Sequence, residues 1–144
     1  MAVTISIGSD HAGFELKERI IDHLKLQQIT YSNKGCFSDE RADYPDFGHA
    51  VALEVLNHEA KFGILMCGSG NGINMSANKH KGIRAALCWN AEIAKLARQH
   101  NDANNLVLPA RFISPDEAFA CIKAFLETEF EGGRHQQRIE KIDL

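Results

Sequence analysis

The chain lacks an excess of basic charge, since its 16 Lys and Arg stand against 19 Asp and Glu for a formal net charge of -3. That balance argues against DNA, RNA or an anionic membrane surface as a partner, and any anion site must be local. No apolar run approaches the length of a membrane span, and the start, Met1-Ala2-Val3-Thr4-Ile5, has neither a basic n-region nor a small-residue cleavage site. A cytoplasmic protein is expected. The cysteines, Cys36, Cys67, Cys88 and Cys121, include no C-x-x-C pair, which disfavours a zinc ribbon, a thioredoxin-like redox site and a structural metal. His58-Glu59-Ala60-Lys61-Phe62 begins like H-E-x-x-H but has Phe where the second ligand would stand. The sequence also contains no internal repeat and no low-complexity tract.

What is present is the composition of one folded domain. The 144 residues are 44% hydrophobic and 24% charged, enough to bury a core without disulfide or metal staples. Apolar stretches of strand length alternate with helix-periodic segments along the whole chain, the pattern of an α/β protein with a mainly parallel sheet. Strands are expected at Val3 to Ile7, Ile29 to Ser32, Phe62 to Cys67, Ile83 to Cys88 and Asn105 to Leu108. Helices are expected at Phe14 to Leu26, Phe47 to Leu56, from the glycine loop to about Asn78, from Asn90 to His100, and from Ser114 to about Phe130. Residues 33–46 read as a long polar connection, a length that is often functional. After Gly132-Gly133 a last helix, Arg134 to Ile142, is charged around most of its circumference and has little reason to fold undocked.

The most informative stretch is Cys67-Gly68-Ser69-Gly70-Asn71-Gly72, where a strand ends and a helix begins. Glycines there let backbone N–H groups approach a ligand oxygen, and the helix N-terminus adds positive potential for an anion or a developing oxyanion. The loop fails the dinucleotide fingerprint, because Ile73 stands where glycine is required, and no Gly-Lys-Ser/Thr follows for a P-loop. Cys67, at the mouth of the loop, suits a base or nucleophile. Cys36, Cys88 and Cys121 are expected to be inert core thiols. Asp10-His11 follows the first strand and would share the carboxyl edge of the sheet with Cys67, either as proton-moving and hydroxyl-orienting groups or as a helix cap beside an exposed histidine. His100 closes a helix and on periodicity alone is a C-terminal histidine facing the helix dipole. Arg134 and Arg138, four apart, can form a phosphate clamp or a solvated basic face.

Taken together, Gly8-Ser9-Asp10-His11-Ala12-Gly13-Phe14, Asp43-Tyr44-Pro45, Cys67 to Ile73, Ala77-Asn78-Lys79, Arg98 to Asp102 and Glu131 to Arg138 resemble type B ribose-5-phosphate isomerase in order and over essentially the full chain. The resemblance implies a Rossmann-like three-layer α/β/α sandwich with a five-stranded parallel sheet. It implies homodimers, sometimes paired into tetramers, whose active sites draw on both subunits, with the segment 132–144 docking on a partner. It further implies interconversion of ribose 5-phosphate and ribulose 5-phosphate, a step of the pentose phosphate pathway, through a cis-enediolate with neither metal nor organic cofactor.

By the same resemblance Cys67 is the proton-abstracting thiolate and His100 the ring-opening acid/base. Gly68, Ser69, Gly70, Asn71 and Gly72 surround the enediolate, Asp10 and Asn101 hold sugar hydroxyls, and Tyr44 lines the pocket. His11, Arg111, Arg134 and Arg138 form the phosphate site. One branch of the family replaces the cysteine by a glutamate a few residues later. Here that position is Ile73, which places the chain in the cysteine branch. Relatives act on six-carbon substrates, galactose 6-phosphate and allose 6-phosphate, and substrate length is not legible in the sequence. A non-catalytic sugar-phosphate-binding module, and a cysteine hydrolase or transferase with a covalent intermediate, are the alternatives of other classes.

Overall fold

The computed structural model describes residues 2–144. Five strands, β1 (Val3–Ser9), β2 (Tyr31–Gly35), β3 (Ala60–Cys67), β4 (Ala85–Leu87) and β5 (Asn105–Pro109), form one sheet in the order β2-β1-β3-β5-β4, with every pairing parallel. Four helices connect them, α1 (Phe14–Leu26), α2 (Tyr44–Leu56), α3 (Asn71–Ala77) and α4 (Ala91–Asn101), two more follow β5, α5 (Pro115–Glu127) and α6 (Arg134–Glu140), and a 3-10 turn at His11–Gly13 leads into α1. This is the expected α/β/α sandwich.

The three layers follow from alternation along the strands. Ile64 and Met66 of β3 join Ile5, Ile7, Leu106 and Leu108 beneath α1, α4 and α5, whereas Leu65 and Cys67 face the opposite layer with Val51, Val55, Ile73 and Val107. Central strands covered on both faces read as continuous apolar runs, which is why β1, β3 and β5 were legible. β2 is an edge strand with one neighbour and half-exposed residues, so its Tyr-Ser-Asn-Lys-Gly sequence resembles a loop. It lies two to three residues later than the apolar pattern suggested, because Ile29 is still engaged by the end of α1, donating to the Leu24 carbonyl at 2.9 Å. α2 starts at Tyr44, three residues before the expected start, with Pro45 in its first turn where no N–H is needed. The connection after β2 is correspondingly confined to 36–43. β4 is shorter than expected, and α5 stops at Glu127 with Thr128 extended.

The terminal helix packs against α4, with only His135 buried among its residues. Arg134, Gln136, Gln137 and Arg138 remain exposed. The end of α4 is fastened by Arg98, itself buried, whose guanidinium donates to the Asp102 carboxylate at 2.8 Å, the Ala103 carbonyl at 2.7 Å and the Thr128 carbonyl at 3.1 Å. The same group lies 5.0 Å from the Phe62 ring centroid, so a cation is held between sheet and helices with its Nε and Nη1 donors used.

Close approach of α1 to the sheet depends on Gly13. A Cβ there would lie 2.6 Å from Met66 Cγ and 2.7 Å from the Met66 carbonyl oxygen, and a backbone atom cannot swing away. Gly13→Ala is expected to lower stability by about 1–3 kcal/mol, the range of overpacking in a filled core. An unchanged urea midpoint would show that α1 has room to shift.

Candidate active site

Parallel register brings the ends of β1, β3 and β5 to one height. Ser9 pairs with Met66 and Cys67 with Pro109, so Asp10, Cys67 and the segment Ala110-Arg111 emerge together at the carboxyl edge. Asp10 is buried and caps the 3-10 turn, its Oδ1 accepting from the Ala12 and Gly13 amides at 3.0 and 3.2 Å. The capping role is therefore real, and it immobilises the carboxylate while Oδ2 stays out of the cap. His11 Nδ1 lies 3.2 Å from both the amide nitrogen and the carbonyl oxygen of Ala42, which ties it to the connection before α2.

Cys67 is buried at the end of β3, beside the loop that opens α3. Gly70 has φ +82°, a left-handed conformation that glycine adopts without strain, and a Cβ on it would lie 2.5 Å from Leu87. Ser69 Oγ accepts from the Asn71 amide at 3.2 Å, and the first-turn amides of α3 are those that a helix cannot satisfy internally. Two side chains close over this loop. Tyr44, from the first turn of α2, lies flush on Gly72, where a Cβ would stand 2.5 Å from its ring. Arg111 covers Gly68, its Nη1 3.3 Å from the place of a Cβ, while its backbone amide donates to the Gly68 carbonyl at 3.0 Å. Asp10, His11, Tyr44, Cys67 to Gly72 and Arg111 thus form one cluster.

His100, Asn101, Arg134 and Arg138 do not belong to it. α4 leaves the carboxyl edge after β4 and ends just before β5 begins, so its last turn lies at the amino edge of the sheet. Its 11 residues correspond to about 16 Å. There the His100 ring stacks on that of His135, with centroids 4.4 Å apart and planes at 16°. Glu131 Oε1 lies 3.8 Å from His100 Nε2 and 3.4 Å from His135 Nε2. The Glu131 amide donates to the Gln99 carbonyl at 3.1 Å, which fixes the start of the terminal segment on α4. His135 has its pKa lowered, chiefly by burial and then by Arg134 and His100, with Glu131 opposing. The neutral imidazole is thereby favoured. The ligand atoms of His100, Glu131 and His135 fall within 4.8 Å of one another. Near-parallel stacked rings nevertheless aim their in-plane lone pairs side by side rather than at one point, so the trio does not fit a preformed metal centre. Periodicity could not find this contact, because Glu131 and His135 flank the Gly132-Gly133 break.

Comparison with known proteins identifies the family. The family model described as Ribose/Galactose Isomerase matches residues 5–142. The chain belongs to the ribose/galactose isomerase family. Ribose-5-phosphate isomerase B of Escherichia coli K12 is 46% identical over 138 residues, covering 96% of this chain and 93% of the relative. The crystal structure of a ribose 5-phosphate isomerase from Thermotoga maritima superposes with a TM-score of 0.97 at 50% identity and 99% coverage of both chains. The structure of ribose-5-phosphate isomerase B from Mycoplasma genitalium with bound ribulose 5-phosphate is 46% identical, with a TM-score of 0.91 and coverage of 99% of this chain and 95% of that one. Membership in the ribose/galactose isomerase family thus extends over both clusters. Among the described residues no helix is long and apolar enough to cross a membrane.

Two further thiols lie in the core on the other face of the sheet from Cys67. Cys88, just after β4, and Cys121, on α5, are buried in the same core cluster. Burial pushes each thiol up to about 12, reinforced at Cys88 by Cys121 and at Cys121 by Glu117. As pH rises above about 9 the unfolded chain releases these protons and the folded chain retains them, so folding stability falls towards pH 12. Urea midpoints measured from pH 8 to pH 11 are expected to drop less steeply in the Cys88→Ala/Cys121→Ala variant than in wild type, and equal slopes would refute the assignment.

Proposed function

We propose that the chain is an aldose-ketose isomerase interconverting D-ribose 5-phosphate and D-ribulose 5-phosphate, and that it works as a homodimer. Each active site combines the carboxyl-edge cluster of one copy with the amino-edge cluster of the other. The observation that carries this reading is the separation of the two clusters to opposite edges of the sheet. Neither is sufficient alone in this reading, because the imidazole of the Cys67 cluster, His11, is tied to Ala42 and assigned to the phosphate, and His100 has no oxyanion loop. Large apolar side chains near the carboxyl edge support a covered surface, with Trp89 after β4 55% exposed and Phe112 after β5 76% exposed. The ribulose 5-phosphate in the Mycoplasma genitalium relative supports the choice of substrate.

In this reading His100 takes the proton of the C1 hydroxyl and delivers one to the ring oxygen, which opens the sugar to its aldehyde. Cys67 then removes the C2 proton as a thiolate. The C2–H electron pair forms the C1–C2 double bond while the carbonyl pair moves to O1, and the amides and Ser69 hydroxyl of the 68–72 loop hold the enediolate oxygens. Return of the proton to C1, with loss of the O2 proton and protonation of O1, gives the ketose. Asp10, rigid through its cap, and Asn101 orient hydroxyls. His11 and Arg111 from one copy and Arg134 and Arg138 from the other hold the phosphate, the three guanidinium groups supplying charge-assisted bonds. The exposed face of α6 that carries Arg134 and Arg138 is then the surface turned toward the partner.

Proton NMR of ribose 5-phosphate in deuterated water is expected to show ribulose 5-phosphate with solvent deuterium incorporated, and Cys67→Ala is expected to abolish both. Turnover of six-carbon sugar phosphates in place of ribose 5-phosphate would move the reading to that substrate class. The shared site has its own test. Cys67→Ala and His100→Asn homodimers should each be inactive, while refolding them together in equal amounts should restore about a quarter of wild-type activity, since half the dimers are mixed and each holds one intact site of two. No recovery in mixed dimers shown to form would place both residues in one copy.

A further inference from the structure

Among the largest fully buried side chains of the described residues is a lysine. Lys17, on α1, has 0% relative exposure, although the charged head of a lysine ordinarily reaches water. Its Nζ donates to Asn33 Oδ1 at 3.1 Å and Glu18 Oε2 at 3.2 Å, and it lies 5.3 Å and 5.9 Å from the ring centroids of Phe14 and Phe37. Burying an ammonium group costs several kcal/mol unless its donors are used, so these partners are held to it as firmly as it is to them.

Its partners lead to the active site. Asn33 Oδ1 also accepts from the Gly35 amide at 3.0 Å, which fixes the turn where β2 ends. The next residue, Cys36, donates its amide to the Ser9 carbonyl at 2.7 Å, immediately before Asp10. From there residues 36–43 run across to Ala42, the neighbour of His11 Nδ1, and into Tyr44, the ring on Gly72. We infer that Lys17 is a positioning residue for substrate binding: its buried ammonium anchors the 36–43 strap through Asn33 and Phe37, and the strap places His11 and Tyr44. This inference rests on the isomerase reading for its kinetic consequence but not for its structural one. A residue that orients binding groups without touching the reacting carbon should change KM far more than kcat.

Amide hydrogen exchange and steady-state kinetics on the full-length protein test it together. Lys17→Met, equal in reach but without the donor, is expected to speed exchange across residues 36–43 about tenfold while leaving that of α6 unchanged. It should raise KM for ribose 5-phosphate about tenfold with kcat within about twofold. Lys17→Arg, which keeps a cationic donor, should recover at least part of both. If Lys17→Met fails to fold, Asn33→Ala at the half-exposed partner is expected to give the same pattern. Unchanged exchange at 36–43, or a fall in kcat at constant KM, would overturn the assignment. A wild type inactive on ribose 5-phosphate would remove the isomerase reading alone, and the exchange measurement would still decide the role of Lys17.

Discussion

In a parallel sheet every connecting helix must return the chain to the edge from which the next strand starts. Groups carried at strand ends and groups carried at the ends of the following helices therefore lie on opposite sides of the sheet. Here that rule separates Cys67 and its glycine loop from His100 and the arginines of α6. The composite site proposed for this enzyme is a consequence of that constraint. A chemistry that needs a thiol, an imidazole and three guanidinium groups around one small substrate can be assembled on this fold by pairing two copies, the carboxyl edge of one against the amino edge of the other.

Within each edge the placement depends on charged groups taken out of water and matched to partners. Arg98 gathers the end of α4, the following turn and the end of α5 onto one guanidinium, and so sets where His100 and Asn101 stand. Asp10 spends one carboxylate oxygen on two amides at the start of the 3-10 turn, which fixes its orientation beside Cys67. Lys17 links α1 to the end of β2. A hydrophobic contact can slide, but a buried ion loses its compensating bonds when it moves, and this directional requirement suits groups that must hold a substrate to within fractions of an ångström.

Several features were legible because their cause is local. The apolar runs of β1, β3 and β5 follow from burial on both faces, the Ser114-Pro115 start of α5 from capping chemistry, and the turn at Cys67 to Gly72 from glycine's access to left-handed backbone. The assignment of Asp10 was open between cap and site, and the structure shows the cap with an oxygen to spare. Tyr44 and Arg111 carried no local signal and entered through family resemblance. The early start of α2 was hidden because Asp43 and Pro45 suit either a loop or a first helical turn. The contact of Glu131 with His100 and His135 was hidden by the Gly132-Gly133 break.

The sequence by itself determined the fold class, the central strands and the place of the candidate glycine loop, because periodicity, capping and glycine content act over a few residues. Only the tertiary structure decided that Lys17 and Arg98 are buried, since a charged residue on an amphipathic helix looks solvated until the element that covers it is known. The tertiary structure also decided that Cys67 and His100 stand at opposite edges of the sheet. Distance along the chain does not encode that separation, and the parallel crossover does.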